Sequence, residues 1–137
     1  MWLRKNPEQI EVAVEELLRF DSPVAVNART ALEDVEIGGV PIKAGDSVIL
    51  LQGSGNFDED LRGDSGHLDL ENGDKNHLSF GRGIHYCLGA PLARLEGQIG
   101  FQKVLDRWTD IRLAESPEYK DHIVLRGLKT LNVQVND

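Results

Sequence analysis

The only cysteine of this chain, Cys87, lies in a glycine-rich segment whose composition indicates a binding loop. Gly81, Gly83 and Gly89 permit backbone angles and close approaches that a side chain would block, so the segment can fold tightly around something large and flat. Pro91 suits the first turn of a helix, because the N–H that proline lacks would have no partner there. Cys87 therefore precedes a helix N-terminus, where free N–H groups and the helix dipole stabilise a thiolate. The pattern predicts that its sulfur is a metal ligand or a nucleophile.

Several other roles for this segment remain open from the residues alone. A lone cysteine is most often a small buried hydrophobe. A zinc site is disfavoured, because tetrahedral ligand spacing is missing from the one cysteine and the four histidines, His67, His77, His85 and His122. A cysteine hydrolase needs a base and a third residue that orients the base, and only His85 is close to the cysteine in sequence. A phosphate loop has less support, since neither the dinucleotide fingerprint nor the Walker lysine-serine/threonine pair is present.

The run FGRGIHYCLGA, which contains Cys87, resembles the haem-binding loop of the cytochrome P450 family in its soluble bacterial form. The resemblance implies that the Cys87 thiolate is the axial ligand of the iron in haem b, iron protoporphyrin IX. It also implies that Phe80 packs beside the sulfur and the porphyrin, and that His85 hydrogen-bonds a haem propionate. Gly81 and Gly89 are then cofactor-binding positions, with backbone N–H groups near Leu88 and Gly89 donating to the sulfur.

The elements that position this loop begin with an amphipathic helix near the N-terminus. Asn6 is a predicted N-cap for a helix that starts at Pro7, and Gln9 can reach back to it as in a capping box. An apolar stripe follows at helical spacing, formed by Ile10, Ala13, Val14, Leu17 and Leu18. The acidic side chains of the helix, among them Glu11 and Glu15, are expected on the opposite face.

Glu16 and Arg19 lie three residues apart on this helix and are therefore neighbours on its surface. By themselves they are typical of a solvated ion pair with little effect on stability. Together with the cysteine loop they resemble the family's glutamate-x-x-arginine element. The resemblance implies a buried network with a residue of the meander segment, and a structural role in holding the haem loop.

Short strands are predicted on both sides of the loop, over residues 24–32, 34–37, 40–43, 47–51, 110–113, 123–127 and 131–135. Gly38 and Gly39 predict a hairpin between the second and the third of these strands. The apolar run 47–51 is typical of a buried strand. Arg29, on the first strand, resembles the family arginine that reaches a haem propionate. The helix that begins at Pro91 has apolar residues on more than one face and is predicted to be largely buried.

The polar segment between the fourth strand and the loop matches the family's meander only in outline. Relatives usually carry alanine-asparagine-arginine-aspartate-proline where residues 55–59 read GNFDE. Arg62 stands where a phenylalanine is expected, and residues 64–66 (DSG) stand where an aspartate-proline-aspartate turn is expected. Asn72 occupies the position of an expected arginine. These departures leave the meander partner of the glutamate-arginine pair unidentified.

Composition bounds the functions that this chain can have. Its 137 residues fit one domain, and 40% apolar with 28% charged residues is ordinary for a soluble globular protein. A net charge of −8 argues against a nucleic-acid partner. The single cysteine excludes an internal disulfide and suits a reducing cytoplasm. No apolar run approaches the roughly 20 residues of a membrane span, and the N-terminus has no signal-peptide core.

These features predict an α+β segment of the mainly-α cytochrome P450 fold, with an N-terminal helix, small antiparallel sheets, the cysteine-ligand loop, a buried helix and C-terminal strands. Residues 1–137 are interpreted as the C-terminal part of that domain, without the distal helix, its acid-threonine pair or the N-terminal portion. The resemblance implies a monooxygenase that acts on a small organic substrate. Its electrons would come from a ferredoxin or flavodoxin-like donor docking near Arg82.

Two alternatives to an active enzyme remain: a non-catalytic haem-binding or interaction fragment, and an inactive truncated product. For this chain alone we expect weak haem binding without turnover. Monooxygenation needs a covered distal pocket that excludes water, and none of its elements is recognised in the sequence.

Overall fold

The structure is a computed structural model that describes residues 2–63, 66–73 and 75–136. Within these ranges the α-helices are α1 (Trp2–Lys5), α2 (Ile10–Phe20), α3 (Gln52–Gly55), α4 (Glu59–Arg62) and α5 (Ala90–Arg107). Single 3-10 turns lie at Pro7–Gln9 and Gly83–His85. The strands are β1 (Asn27–Thr30), β2 (Val35–Ile37), β3 (Val40–Ile42), β4 (Ser47–Leu50), β5 (Asp110–Leu113), β6 (Glu118–Tyr119), β7 (Leu128–Thr130) and β8 (Val133–Asn136). The expected turn at 64–66 includes Asp64 and Ser65, which lie outside the described residues.

The strands form two-stranded antiparallel sheets, with the pairs β1–β4, β2–β3, β5–β8 and β6–β7. The predicted hairpin is present between β2 and β3, where Gly38 and Gly39 have φ angles of 58° and 79° that favour glycine. In the first sheet Arg29 pairs with Val48, and in the third Ile111 pairs with Val135. Small antiparallel sheets thus lie on both sides of the cysteine loop in the chain, as the sequence predicts.

Two strand predictions need correction. Residues 123–127 do not form a strand, because Leu125 makes only an isolated bridge to Val24 while β6 and β7 pair on either side of this segment. The apolar strand β4 is not buried, since Ile49 is 58% exposed and Leu50 38% exposed. In the described residues β1 is hydrogen-bonded along one edge of β4. A neighbouring strand in the same sheet covers neither face of β4, so its apolar side chains stay exposed.

The start of α2 differs from the predicted capping box. The backbone before Pro7 is already helical in α1, and the side chain of Asn6 donates to the Trp2 carbonyl at 3.0 Å. Neither Asn6 nor Gln9 makes a side-chain capping bond. The first turn after Asn6 is a 3-10 turn over Pro7–Gln9, and the α-helix begins at Ile10. Proline still occupies the predicted place at the start of a helical turn.

α2 packs closely against α5, and a small apolar core lies beside this contact. Its buried members are Leu3, Ala13 and Leu105. The approach of the two helices depends on Gly97, because a Cβ atom at this position would lie 3.1 Å from Val14 Cγ1. Arg4 Nη1 also donates to the Leu105 carbonyl at 2.6 Å, which fastens α1 to the C-terminal end of α5.

α5 is less buried than its apolar composition predicts. Among its side chains only Ala90 and Leu105 are buried, whereas Leu92, Leu95 and Ile99 are each more than half exposed. The physical reason is that α2 covers one face of α5, and the apolar residues on its other faces have no element over them in the described part of the chain. α5 therefore presents an apolar surface that begins beside the cysteine loop.

We expect Gly97→Leu to destabilise the chain relative to Gly100→Leu. Both changes replace a helical glycine and gain about 0.8–1 kcal/mol of helix propensity. Only the first places a side chain against Val14, and such overpacking costs about 1–3 kcal/mol. A Cβ atom at Gly100 meets nothing within 4 Å. Urea unfolding of the two variants measures the difference, and equal free energies of unfolding would show that the α2–α5 contact does not need a glycine.

Candidate functional site

The segment around Cys87 is a closed loop. The Cys87 amide donates to the Phe80 carbonyl at 2.8 Å, and the Tyr86 amide donates to the Gly83 carbonyl at 3.1 Å. Gly81 and Gly83 have φ angles of 70° and 64°, a region that side chains strongly disfavour. The glycines that the sequence singled out are thus the residues that let the chain turn back and bring Cys87 beside Phe80.

Cys87 lies directly before α5, as predicted. Its carbonyl accepts a hydrogen bond from the Ala90 amide at 3.2 Å, and Gly89 is the N-cap residue of the helix. A Cβ atom at Gly89 would lie 3.8 Å from the Cys87 sulfur, an ordinary van der Waals contact, so any side chain at this position would border the sulfur. The sulfur therefore sits at the positive end of an 18-residue helix.

The surface around the sulfur fits a large apolar group that carries a metal. Cys87 is an exposed free thiol, and its neighbours Ile84 and Leu88 are 96% and 98% exposed. Exposed apolar side chains on both sides of the cysteine in the sequence favour a binding surface. A thiolate set among them suits haem, which offers an iron for the sulfur and a flat apolar ring for the side chains.

The other predicted haem contacts are distributed over the loop and β1. Phe80, Gly81, His85 and Gly89 all lie in the Cys87 loop, and His85 is exposed. Arg29 lies on β1, where its Nη1 donates to the Ala28 carbonyl at 2.8 Å. Among the described residues its guanidinium makes no hydrogen bond to the loop, so its role stays a prediction.

β1 is nevertheless linked to the loop through the side chain of Gln52. Asn27 lies two residues before Arg29 and on the same side of the strand, and it hydrogen-bonds Gln52. Gln52 in turn donates from Nε2 to the Leu78 carbonyl at 3.0 Å, at the beginning of the loop. Arg29 therefore occupies the strand face that is connected to the cysteine loop.

Glu16 and Arg19 form a buried bidentate ion pair. Arg19 Nε and Nη2 donate to Glu16 Oε2 and Oε1 at 2.8 and 2.7 Å, and the two residues are only 4% and 2% exposed. The hydrogen bond to Glu16 raises the pKa of Arg19 above its usual value, although burial acts in the opposite direction. Their burial agrees with the prediction for a network of the glutamate-x-x-arginine kind.

Backbone groups of the meander complete this network. Arg19 donates to the carbonyls of Asn56 and His67, each at 2.9 Å, and Glu16 Oε1 accepts from the Asp69 amide at 2.9 Å. Asn72, at the position of the expected arginine, instead donates to Asp69 Oδ2 at 3.0 Å. The meander therefore contacts the ion pair through backbone carbonyl and amide groups, although its sequence differs from the family pattern.

Asn56 connects the ion pair to the loop, a role that sequence reasoning missed. Its side chain is fully buried, and Oδ1 accepts from the Leu78 amide at 2.6 Å while Nδ2 donates to Ser79 Oγ at 3.0 Å. Ser79 Oγ donates onward to the Leu18 carbonyl at 2.6 Å. The available signal was that Asn56 coincides with the asparagine of the pattern that relatives usually carry over residues 55–59.

A second buried network, also missed, involves Glu15, which the sequence placed on the solvent face of α2. Glu15 is 4% exposed and accepts from Arg94 Nε and Nη2 at 2.5 and 2.9 Å. His77 Nε2 lies 3.1 Å from Glu15 Oε2. Because the Ser79 amide donates to His77 Nδ1 at 3.2 Å, the proton of a neutral His77 is on Nε2 and is donated to Glu15. Glu15 is therefore buried and not on the solvent face, because pairing with a positive charge allows a carboxylate to be buried.

The environment of this network shifts three pKa values. Burial alone would raise the pKa of Glu15, but the hydrogen bonds and charge of Arg94, with a smaller effect of His77, lower it. Burial lowers the pKa of His77, although Glu15 acts to raise it. The hydrogen bond to Glu15 raises the pKa of Arg94. At neutral pH the network therefore holds a carboxylate, a guanidinium and a neutral imidazole.

Comparison with known proteins assigns the family. The family model described as Cytochrome P450 matches residues 5–126. The chain is 45% identical over 138 aligned positions to the polyketide biosynthesis cytochrome P450 PksS of Bacillus subtilis (strain 168), covering 98% of this chain and 34% of that protein. It is 44% identical to the putative cytochrome P450 140 of Mycobacterium tuberculosis (strain H37Rv), covering 96% and 30%. The solved structure of P450BioI, in complex with an acyl carrier protein ligated by hexadec-9Z-enoic acid, matches with a TM-score of 0.94 at 42% identity, covering 98% of this chain and 35% of that one.

This chain belongs to the cytochrome P450 family, whose members are haem-thiolate proteins with haem b as cofactor. The predicted fold class is confirmed, since the solved relatives match it over nearly its whole length. The chain spans about a third of the length of the curated relatives that it matches. None of its described helices combines the length and the apolar character that a membrane crossing requires.

We expect Glu16→Ala and Arg19→Ala each to lower the free energy of unfolding by about 3–5 kcal/mol, because each change leaves a buried charge without its partner. The double variant should lose much less than the sum of the two. Urea unfolding of the four proteins gives the coupling energy. The exposed Arg112–Asp110 pair, with its nitrogen and oxygen 2.7 Å apart, is the matched control and should couple by less than about 1 kcal/mol. Additive losses at Glu16 and Arg19 would contradict a buried unit.

We expect His77 to make the chain less stable as the pH falls from about 7 to about 5. Its folded pKa lies below the ordinary 6.5, so the unfolded chain binds a proton at a higher pH than the folded chain, and stability decreases below that pH. Glu15 favours the charged histidine, while Arg94 and Arg62 oppose it.

His77→Gln retains a donor for Glu15 but cannot titrate, so its free energy of unfolding should vary less over this pH range. The lowered pKa of Glu15 adds a loss of the same sign only at lower pH, below its ordinary 4.5. Urea unfolding at several pH values tests this, with His122→Gln as a control at an exposed histidine. Identical pH profiles for wild type and His77→Gln would contradict it.

Proposed function

We propose that this chain forms the thiolate side of a cytochrome P450 haem site, with Cys87 as the axial ligand of the iron. The observation that carries the proposal is the exposed Cys87 thiol at the start of α5, in a loop closed by its own amide and bordered by exposed apolar side chains. Family membership supports the same ligand, because a cysteine thiolate binds the haem iron throughout this family.

The remaining loop residues would shape the surface that receives the cofactor. Gly89 keeps side-chain atoms away from the sulfur, and Phe80 would pack beside it. His85 and Arg29 are the candidate partners of the haem propionates. His85 would hydrogen-bond a propionate from the loop, and the positively charged Arg29 would reach one from β1. The buried Glu16–Arg19 pair would act at a distance, by holding the meander against the loop.

For the protein as a whole we propose monooxygenation of a small organic substrate. Haem, when bound, supplies the iron at which oxygen is activated, and the thiolate pushes electron density towards it. Because the chain covers about a third of each relative, the activity of those relatives supports this proposal without establishing it. The acyl carrier protein complex of P450BioI makes carrier-bound acyl groups a substrate class worth testing.

Electrons would come from a ferredoxin or a flavodoxin-like protein, which we place near Arg82. This arginine is exposed, and its Nη2 donates to the Asn76 carbonyl at 2.8 Å, which orients it at the edge of the loop. A reducing cytoplasm is the proposed location, supported by the single free cysteine.

We expect the haem-reconstituted chain, after reduction and addition of carbon monoxide, to show the red-shifted Soret band of thiolate ligation. Cys87→Ala should abolish this band, because no other thiol is present in the chain. His122→Ala is the control for adventitious histidine ligation and should leave the band unchanged. A spectrum of Cys87→Ala identical to wild type would overturn the assignment of the ligand.

A further inference from the structure

Arg94 contacts Phe80 and Tyr86, which lie at the two ends of the Cys87 loop. It lies in the second turn of α5, and its Nη1 donates to the Tyr86 hydroxyl at 2.8 Å. The centre of its guanidinium lies 4.7 Å from the centroid of the Phe80 ring. Tyr86 directly precedes Cys87, and Phe80 supplies the carbonyl that accepts the Cys87 amide. One side chain therefore touches both sides of the base of the loop.

The position of Arg94 is itself fixed by α2. Glu15 accepts from its Nε and Nη2 and is buried, so the guanidinium plane has one orientation. His77 limits the freedom of Glu15 through a contact of 3.1 Å. The ring of His77 also lies 5.6 Å from the ring of Phe80, centroid to centroid. The chain of contacts thus runs from α2 through Arg94 to the loop.

We propose that Arg94, oriented by Glu15, is a positioning residue that sets the direction of the Cys87 sulfur. The inference rests on the proposed function, in which Cys87 binds the haem iron. A change in the backbone angles of Tyr86 would turn Cys87 and carry the Tyr86 ring away from Arg94, so the Arg94–Tyr86 hydrogen bond opposes it. The contact of Arg94 with the Phe80 ring holds the opposite side, so the Cys87 amide and the Phe80 carbonyl stay paired.

The arrangement requires the planar fork of arginine. Its three nitrogens reach three oxygens, two on Glu15 and one on Tyr86, while its flat face lies near Phe80. A lysine ammonium is a compact charge that can neutralise Glu15 but cannot reproduce this geometry. Arg94→Lys therefore separates positioning of the loop from charge compensation.

The test compares Tyr86→Phe and Arg94→Lys with two matched controls. Tyr86→Phe removes a single oxygen atom and keeps the ring, so it should fold as the wild type does. Tyr119→Phe is its control, since the Tyr119 hydroxyl lies on an exposed contact with Asp21. Arg112→Lys is the control for the arginine, because Arg112 forms an exposed ion pair with Asp110 within β5.

Two measurements are made on each protein. The first is hydrogen exchange of the Cys87 amide relative to amides in the middle of α2 and α5, in the chain before haem is added. The second is the fraction of thiolate-type Soret absorption in the reduced carbon monoxide complex of the haem-loaded chain. Substitution of a residue that only stabilises the fold would change the exchange rates of all protected amides together. Substitution of a positioning residue changes the exchange rate of the loop amide alone.

We expect Tyr86→Phe and Arg94→Lys to accelerate exchange of the Cys87 amide by about tenfold, the effect of losing one hydrogen bond to a charged group. Exchange in α2 and α5 should stay at the wild-type rate in Tyr86→Phe, and the thiolate-type fraction should fall in both variants. The two controls should match the wild type.

Unchanged Cys87 exchange in Tyr86→Phe would overturn the proposal, and so would acceleration spread equally over the helices. If the wild-type chain gave no thiolate-type band, the proposed function would fail. The exchange measurement would still decide whether Arg94 positions Cys87.

Discussion

Two carboxylates buried side by side on α2 are the constraint on which the rest of the structure depends. Successive residues of an α-helix point about 100° apart, so Glu15 and Glu16 face different neighbouring elements. Each buried charge is costly unless it is paired and hydrogen-bonded. Glu16 is paired with Arg19 and Glu15 with Arg94 and His77. As a result, α2 is tied to the meander by one carboxylate and to α5 and the cysteine loop by the other.

The interior between these elements is held mainly by polar contacts. Asn56, Ser79 and His77 are buried, and each hydrogen-bonds a group at or near the start of the loop. Polar networks of this kind depend on geometry, because every member must meet a partner. They suit a loop that has to present one sulfur in one direction. The main chain can supply several of the contacts, which explains how a divergent meander still closes around Arg19.

Many apolar side chains of this chain, by contrast, are exposed to solvent. α5 and β4 both expose side chains that their composition would place in a core. The backbone nevertheless matches solved cytochrome P450 structures with TM-scores of 0.94 and 0.93. The match shows that the backbone path of this segment follows that of its relatives, although the described residues do not cover these apolar faces. Leu88 of the loop and Leu92 of α5 are 98% and 60% exposed, and they follow Cys87 by one and five residues.

The sequence alone determined the local features: the glycine loop before α5, the hairpin between β2 and β3, and the glutamate-arginine pair of α2. These depend on backbone preferences and on residues a few positions apart, so spacing is enough to predict them. Only the tertiary structure decided the burial of Glu15, because its partners His77 and Arg94 are separated from it by 62 and 79 residues. Helical periodicity distinguishes apolar from polar positions, but it cannot tell a solvated carboxylate from one that a distant arginine compensates. The same holds for Asn56, whose contacts arise from packing of the meander against α2, and for α5, whose burial depends on what lies over it.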